Sequence, residues 1–239
     1  MNGVLKVIKD RRSERTPFDP RRPVSRGDLE NIVEAARWAP TPHNMQNFDV
    51  IVVDDRALLK RIGEIKSPVS MTFVRENYPQ LSFSREELLK RKTGILGTWF
   101  PPAWRDPARF NEVPADGGRS TLEDTIDGSP TILVVAYDPG RRAPASEGDF
   151  LGILGLGCVM ENMWLEARSL NVGLQVMSVF GDRKIQGEVK RVLRIPSHMR
   201  IAYALRLGFP ARRRGRYLRV RRDASGIVHH NMYGNRGLA

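Results

Sequence analysis

One segment, GDFLGILGLGCVMENMWLEARSLN at residues 148–171, limits the possible folds of this chain more than any other. It has the length of a long helix, and its first three turns are apolar on nearly every side. Such a helix has to be buried on several sides, so it predicts a core helix around which other elements pack. Gly152, Gly155 and Gly157 each weaken a helix by about 1 kcal/mol relative to alanine. We therefore expect another segment or a ligand to approach closely there.

The remaining elements alternate along the chain. Four apolar runs predict strands over 48–53, 131–137, 174–179 and 201–209. Helical spacing predicts helices over 27–38, 57–66, 83–93 and 183–193. The spacing between elements is uneven, and neither G-x-G-x-x-G after the first strand nor a P-loop motif occurs. We predict an α+β layered fold in which a mixed central sheet is flanked by helices.

Composition disfavours several classes of protein. No run approaches the roughly 18 uninterrupted apolar residues that span a bilayer, and the N-terminal MNGVLKVIKDRRSERT lacks the apolar region of a signal peptide. We expect a cytoplasmic protein without a membrane partner. The single cysteine, Cys158, stands in the apolar helix, where an inert buried thiol is expected. The four histidines show no metal-ligand spacing, so no metal site is predicted.

The net charge of +12 raises the question of a nucleic-acid partner. Seven arginines lie in ARRRGRYLRVRRD at 211–223, and without them the formal charge is +5. The excess therefore belongs to one segment, which can contact phosphate groups of a nucleic acid or of a cofactor. For most of these arginines a solvated surface tail is the simpler interpretation.

Three guanidinium groups and a hydroxyl fall within five residues of DRRSERTPF: Arg11, Arg12, Ser13 and Arg15. Guanidinium groups bind phosphate with two parallel hydrogen bonds, and a hydroxyl adds a donor. This tetrad is a candidate phosphate site. The alternative is a solvated charged segment before the first long helix.

Two further stretches are candidates for contacts with a flat ligand. Residues 39–48 carry no charged side chain, and the amides of Asn44 and Gln46 can read the edge of a heteroaromatic ring. The alternative there is an Asx turn that leads into a strand. In GLQVMSVFGD (173–182), backbone N–H groups at a strand end can face a ligand.

An aromatic stretch lies in the irregular region 67–128. Trp99, Phe100 and Trp104 are predicted to form a lid that stacks on flat substrates. A folded surface loop with a small core of its own is the alternative.

Four segments, taken in order, resemble the nitroreductase family of FMN-dependent oxidoreductases over roughly residues 7–222. They are RRSERTPF, AARWAPTPHNMQNFDVIVV, GDFLGILGLGCVMENMWLEARSLNVGLQVMSVFGD, and ALRLGFPA before a basic arm. The resemblance implies one domain over 1–239, with a variable excursion (about 67–128) over the active site and a basic arm (about 210–239). It also implies a homodimer with exchanged terminal arms and FMN at its interface.

The resemblance carries over to individual residues. It implies phosphate contacts from Arg11, Arg12, Ser13 and Arg15, and from one of Arg219, Arg221 and Arg222. It implies flavin contacts from Asn44 and Gln46, from Pro40, Thr41, Pro42 and His43 of the second subunit, and from the backbone of Met177, Ser178 and Val179. One departure is Asn47-Phe48, where the family often has proline and tryptophan. That loop is therefore expected to pack differently.

The implied reaction passes hydride from NADH or NADPH through the flavin to an electron-poor acceptor such as a nitroaromatic or a quinone. No side-chain acid or base is required, and His43 has at most a minor role in proton transfer. Reductive dehalogenation and flavin breakdown use the same flavin-holding motifs and stay open as alternatives. A nucleic-acid-binding protein that uses the arginine arm is the disfavoured alternative.

Overall fold

The computed structural model describes residues 3–97, 100–115, 118, 121–126, 128–144, 146, 148–212 and 218–237, with backbone alone for 78–82. The chain forms two compact units. The first comprises Met1–Ser67 and Thr121–Arg214, and the second Pro68–Ser120 and Gly215–Ala239. The predicted excursion and basic arm thus fall largely in the second unit. That the whole chain forms one domain stays a prediction.

Helices and strands alternate unevenly, as the sequence predicts. The helices are α1 (Gly3–Asp10), α2 (Arg26–Arg37), α3 (Arg56–Gly63), α4 (Met71–Leu81), α5 (Arg85–Arg91), α6 (Glu123–Ile126), α7 (Phe150–Ser169) and α8 (Arg183–Leu193). The strands are β1 (Phe48–Val53), β2 (Ser82–Phe83), β3 (Ile95–Leu96), β4 (Thr131–Tyr137), β5 (Gly173–Met177) and β6 (Arg200–Gly208).

The first unit is built on a four-stranded sheet in the order β1-β4-β6-β5. Every neighbouring pair in this sheet is antiparallel, with Val50 opposite Val135, Val134 opposite Ala204, and Val176 opposite Leu205. The α+β class is confirmed, but the mixed pattern expected for this sheet is wrong for the described strands. The alternation of helices and strands suggested parallel pairs, yet the direction of a strand depends on how the intervening chain returns, which local sequence does not specify.

Helix α7 lies on one face of this sheet and packs against α2. Its Leu156, Val159 and Met163 are buried in a cluster that also contains Ile32 of α2 and Leu205 of β6. By length and composition α7 could cross a membrane, a property that the core helices of globular proteins share. Its place against α2 and the sheet accounts for the apolar side chains of its inner face. Phe150, Ile153 and Leu154 in its first turns are exposed, so the predicted burial on several sides is not seen there in the single chain.

Local signals set several element ends. Ser25 accepts a hydrogen bond from the Asp28 amide and caps α2, and Ser84 and Glu87 form the predicted capping box of α5. Strand β5 ends at Met177, two residues before the predicted end, because a 3-10 turn at Ser178–Gly181 follows.

Candidate functional site

The uncharged loop between α2 and β1 has an unusual backbone. A 3-10 turn covers Pro42–Asn44, and three non-glycine residues have positive φ: His43 at 49°, Asn44 at 53° and Gln46 at 44°. Each such residue costs of order 1–3 kcal/mol unless its surroundings hold it in place, and strained positions of this kind cluster at ligand sites. The loop therefore has a defined and strained shape, which the sequence pattern did not reveal.

The amides of this loop are displayed to solvent. The Gln46 side-chain amide donates to Asn44 Oδ1 at 2.9 Å, and the Gln46 backbone N–H donates to Thr41 Oγ1 at 3.2 Å. The side chains of His43, Asn44 and Gln46 are exposed. The paired amides keep further donor and acceptor capacity for a ligand.

Helix α7 approaches this loop at its glycines. A Cβ added at Gly155 would lie 3.2 Å from Pro42 Cδ and 3.6 Å from Thr41 Cα. A Cβ at Gly152 would lie 3.7 Å from Asn47 Nδ2, whereas one at Gly157 would meet no described atom within 4 Å. The close approach predicted for these glycines is confirmed at Gly155, whereas Gly152 makes an ordinary van der Waals contact.

Asn47 explains the departure from the family pattern. Its side chain is buried, and Nδ2 donates to the Arg141 carbonyl at 3.3 Å while its own carbonyl accepts from the Asp138 amide at 3.2 Å. Asn47 therefore anchors the turn after β4, and proline could not replace its bond to Arg141 because the proline side chain has no donor. It does not belong to the exposed part of the loop.

The arginine-serine segment follows α1 and is held against α7 and β5. Arg11 Nε lies 2.9 Å from Glu161 Oε1, and the guanidinium stacks 4.4 Å above the Trp164 ring. Trp164 Nε1 also donates to the Arg12 carbonyl at 3.2 Å. Arg11 thus has a structural partner on α7, while Arg15 is exposed and Arg12 and Ser13 are partly exposed.

A buried arginine fixes the middle of this segment. Arg206 is 2% exposed on β6, and its Nη2 donates to the carbonyls of Glu14 and Thr16, each at 3.2 Å. Its Nε donates to Gln175 Oε1 at 2.9 Å, and its Nη1 to the Ile126 carbonyl at 3.3 Å. The two carbonyls flank Arg15, so Arg206 determines the path of the backbone from which Arg15 projects.

Both candidate segments lie against α7, at different points along it. The loop touches α7 at Gly155 and the arginine segment touches it at Glu161, about 9 Å further along at a rise of roughly 1.5 Å per residue. The arginine segment also reaches β5, where the Glu14 amide donates to the Leu174 carbonyl at 2.9 Å. Strand β5 ends at Met177, which lies about 10 Å from Leu174 at roughly 3.4 Å per residue. Ser178, the next residue, is exposed.

Tyr203 joins α7 to the sheet beneath this site. Its hydroxyl donates to the Leu156 carbonyl at 2.8 Å, one residue from Gly155. Burial raises the pKa of the Tyr203 hydroxyl above its ordinary value, because the apolar surroundings disfavour the phenolate. The hydroxyl is therefore a neutral donor at physiological pH.

The other predicted site residues belong to the second unit. Arg219, Arg221 and Arg222 are exposed there, and Arg221 donates to the neighbouring Val220 carbonyl at 2.7 Å. Trp104 is buried with Val74 and Val113, and Phe100 stacks on it at 5.9 Å between ring centroids. This packing matches the alternative of a small separate core. Trp99 lies outside the described residues, and the lid stays a prediction.

Sequence reasoning missed Glu161, Trp164 and Arg206 as supports of the arginine segment. Arg206 carried a signal, since it is the one charge inside the otherwise apolar run IAYALRLGF. A charge in a core strand requires hydrogen-bonding partners. Glu161 and Trp164 carried no such sequence signal, because their partners are about 150 residues distant in the chain.

Comparisons with known proteins identify the family of this chain. The Nitroreductase family model matches residues 8–209. The FMN reductase [NAD(P)H] of Bacillus subtilis (strain 168) is 27% identical over 170 residues, 68% of this chain, and the chain spans 57% of that relative's length.

Solved structures show the same fold. A nitroreductase with bound FMN from Bacteroides fragilis has a TM-score of 0.60 at 19% identity, covering 96% of this chain and 99% of its own. One from Desulfitobacterium hafniense has a TM-score of 0.58 at 21% identity, with the same coverage. With its fold, its motifs in order and a family match over most of its length, the chain belongs to the Nitroreductase family.

Proposed function

We propose that the protein is an FMN-dependent oxidoreductase that takes hydride from NADH or NADPH and passes it to an electron-poor acceptor, such as a nitroaromatic or a quinone. Family membership and a relative named as an FMN reductase support redox chemistry with this cofactor. The observation that carries the proposal is that a basic segment and a strained, uncharged, amide-bearing loop lie against one helix, α7.

The residues at this site suit the two halves of FMN. Arg12, Ser13 and Arg15 offer charge-assisted donors for a phosphate. The exposed amides of Asn44 and Gln46 suit the hydrogen-bonding edge of a neutral flat ring. The proposed set of contacts is completed by Arg11, Met177–Val179 and one of Arg219, Arg221 and Arg222, together with residues 40–43 of the second subunit.

Bound FMN would supply the hydride chemistry, and the protein contributes binding and electrostatics. The guanidinium groups would hold the phosphate and so fix one end of the cofactor. The backbone N–H groups at the end of β5 and the loop amides would donate hydrogen bonds to the ring and favour negative charge on it. Because the loop has no charged side chain near the ring, a hydride donor and an acceptor can each approach it.

The test of cofactor binding is the double variant Ser13→Ala, Arg15→Ala. Charge-assisted hydrogen bonds contribute about 1.5–3 kcal/mol each, so the FMN affinity should fall by a factor of about 100 or more, measured by quenching of flavin fluorescence. Arg21→Ala, which removes an exposed arginine outside the motif, is the control and should bind FMN normally. Unchanged flavin occupancy in the double variant would refute the assignment.

The test of the reaction is anaerobic reduction of the FMN-loaded protein with NADH and with NADPH, followed by a panel of acceptors. Rapid bleaching of the flavin absorbance and its return on addition of a nitroaromatic or a quinone support the proposal. Turnover of halogenated aromatics alone would favour reductive dehalogenation. A protein that takes up no FMN would remove the whole proposal.

We also propose a homodimer that forms through α7 and α1. The first turns of α7 expose large apolar side chains, with Phe150 64%, Ile153 56% and Leu154 51% exposed, and α1 exposes Val4, Leu5 and Ile8. Clusters of exposed large apolar side chains mark interaction sites. Light scattering should give twice the chain mass for the native protein and a smaller mass for Ile153→Glu, Leu154→Glu. A monomeric native protein would contradict the proposal.

A further inference from the structure

A second candidate site lies on the first unit, in a groove between the outer face of α8 and the start of β6. Its volume is about 760 Å³. The cations that line it are Arg183, Lys190, Arg191, Arg194 and Arg200, and the His198 side chain lies beside them. None of them belongs to the basic arm or to the proposed flavin site. The excess positive charge of this chain is therefore not confined to the arm.

The sequence of α8 produces this face. Ile185 and Val189 are buried against the sheet, while Arg183, Gly187 and Arg191 recur one turn apart on the opposite side. Arg194 ends the helix with a φ of 55° and continues the same stripe. Gly187 lies between two arginines, and a Cβ there would meet nothing within 4 Å. A ligand can therefore approach the helix backbone between the two guanidinium groups.

The charges of this groove have no counterions among the described residues. The exposed guanidinium groups of Arg183, Arg191, Arg194 and Arg200 form no ion pair within 4.0 Å in the described part of the chain. Lys190 differs, because its Nζ donates to the carbonyls of Ser197 and Met199 at 2.7 and 2.6 Å. No carboxylate lines the groove. Four free guanidinium groups on one concave surface favour an extended polyanion.

The length of the groove and the residues that line it indicate which kind of polyanion it would bind. Arg183 and Arg194 are about 16 Å apart along the helix, at roughly 1.5 Å per residue. One strand of duplex DNA carries a phosphate every 3.4 Å or so, so about five phosphates match this length. Among the described residues no phenylalanine, tyrosine or tryptophan lines the groove, and the single His198 ring offers at most one stacking position, too few for a platform of successive unpaired bases. A membrane surface would instead favour a flat face with apolar side chains beside the basic ones.

We propose that the arginine groove of α8 binds the sugar-phosphate backbone of a double-stranded nucleic acid without sequence preference. This site uses residues separate from the proposed oxidoreductase site, and neither depends on the other.

The experiment compares two variants that lose the same charge. The groove variant is Arg183→Gln, Arg191→Gln, Arg194→Asn, in which asparagine suits the positive φ. The control is Arg75→Gln, Arg85→Gln, Lys90→Gln, three exposed cations of the second unit that form no ion pair with a described residue. Binding of each protein to a short fluorescent DNA duplex is followed by anisotropy between about 50 and 200 mM salt.

The slope of the logarithm of the association constant against the logarithm of the salt concentration should become shallower by about 2.7 in the groove variant. This value corresponds to about 0.9 for each of the three phosphates that are no longer neutralised. In the control variant the slope should stay unchanged. Arg200→Gln alone should change it by about 0.9, which keeps the test valid if the triple variant fails to fold. Equal reductions in the groove variant and the control would show a general charge effect and overturn the proposal. So would a native protein that binds vesicles of phosphatidylserine or an acidic protein but not the duplex.

Discussion

Replacement of Arg206 by methionine tests how the arginine segment is held. Methionine keeps the unbranched apolar stem but removes every donor. The carbonyls of Glu14, Thr16 and Ile126 and the Gln175 side chain then lose the bonds that Arg206 donates. The ring of Phe18, 4.8 Å from the guanidinium carbon, loses its cation–π partner as well.

The expected loss of stability follows from the burial of Arg206. Removal of one member of a buried charged network costs about 3–5 kcal/mol, because the groups left behind stay desolvated and lack their partner. Natural domains have a total stability of about 5–15 kcal/mol. Arg206→Met is therefore expected to remove a large fraction of the free energy of unfolding.

The assay is urea unfolding followed by tryptophan fluorescence. Arg200→Met is a matched control on the same strand, and because Arg200 is exposed its replacement should change stability by less than about 0.5 kcal/mol. Arg206→Met should also weaken FMN binding in conditions where it stays folded, since the segment around Arg15 loses two anchors. If Arg206→Met lowers the free energy of unfolding by less than about 1 kcal/mol, the view that Arg206 organises this segment is refuted.

Three further predictions concern α7 and the second unit. Gly155→Ala should weaken FMN binding because the new methyl lies 3.2 Å from Pro42 Cδ, whereas Gly27→Ala, with no atom within 4 Å, should leave flavin titrations unchanged. Tyr203→Phe tests the raised pKa of the hydroxyl. Because the folded state favours the neutral phenol, the stability that the tyrosine contributes is complete below about pH 10, the ordinary tyrosine pKa, and is lost as the pH rises. The difference in unfolding free energy between native protein and variant should therefore shrink above pH 10 and stay constant below it. Trp104→Ala should lower the melting temperature, since removal of a buried tryptophan costs about 3–5 kcal/mol. If Trp104→Ala also raises KM for flat acceptors, the predicted lid gains support, and unchanged KM and kcat would count against it.

The sequence by itself determined the local elements of this protein. The apolar composition of 148–171 predicted a long helix at the position of α7, and the β-branched runs predicted β1 and β4 at their observed bounds. Ser84 with Glu87 predicted the start of α5. These signals are readable because each depends on residues within one or two turns or along a single strand. The order of the four motifs was likewise enough to identify the family, because each motif is a continuous stretch of sequence.

Only the tertiary structure decided what distant residues do together. The antiparallel pairing of β4 with β6, the role of Asn47 beside Arg141, and the path of residues 14–16 around Arg206 all join parts of the chain that are far apart in sequence. The groove of α8 likewise needs β6 to bring Arg200 beside the helix. Positive φ is uncommon for residues other than glycine, and although histidine and asparagine adopt it more readily, the local sequence does not specify three such residues at His43, Asn44 and Gln46. Such contacts are set by the packing of the whole core, because a local cost is tolerated only where distant partners compensate for it.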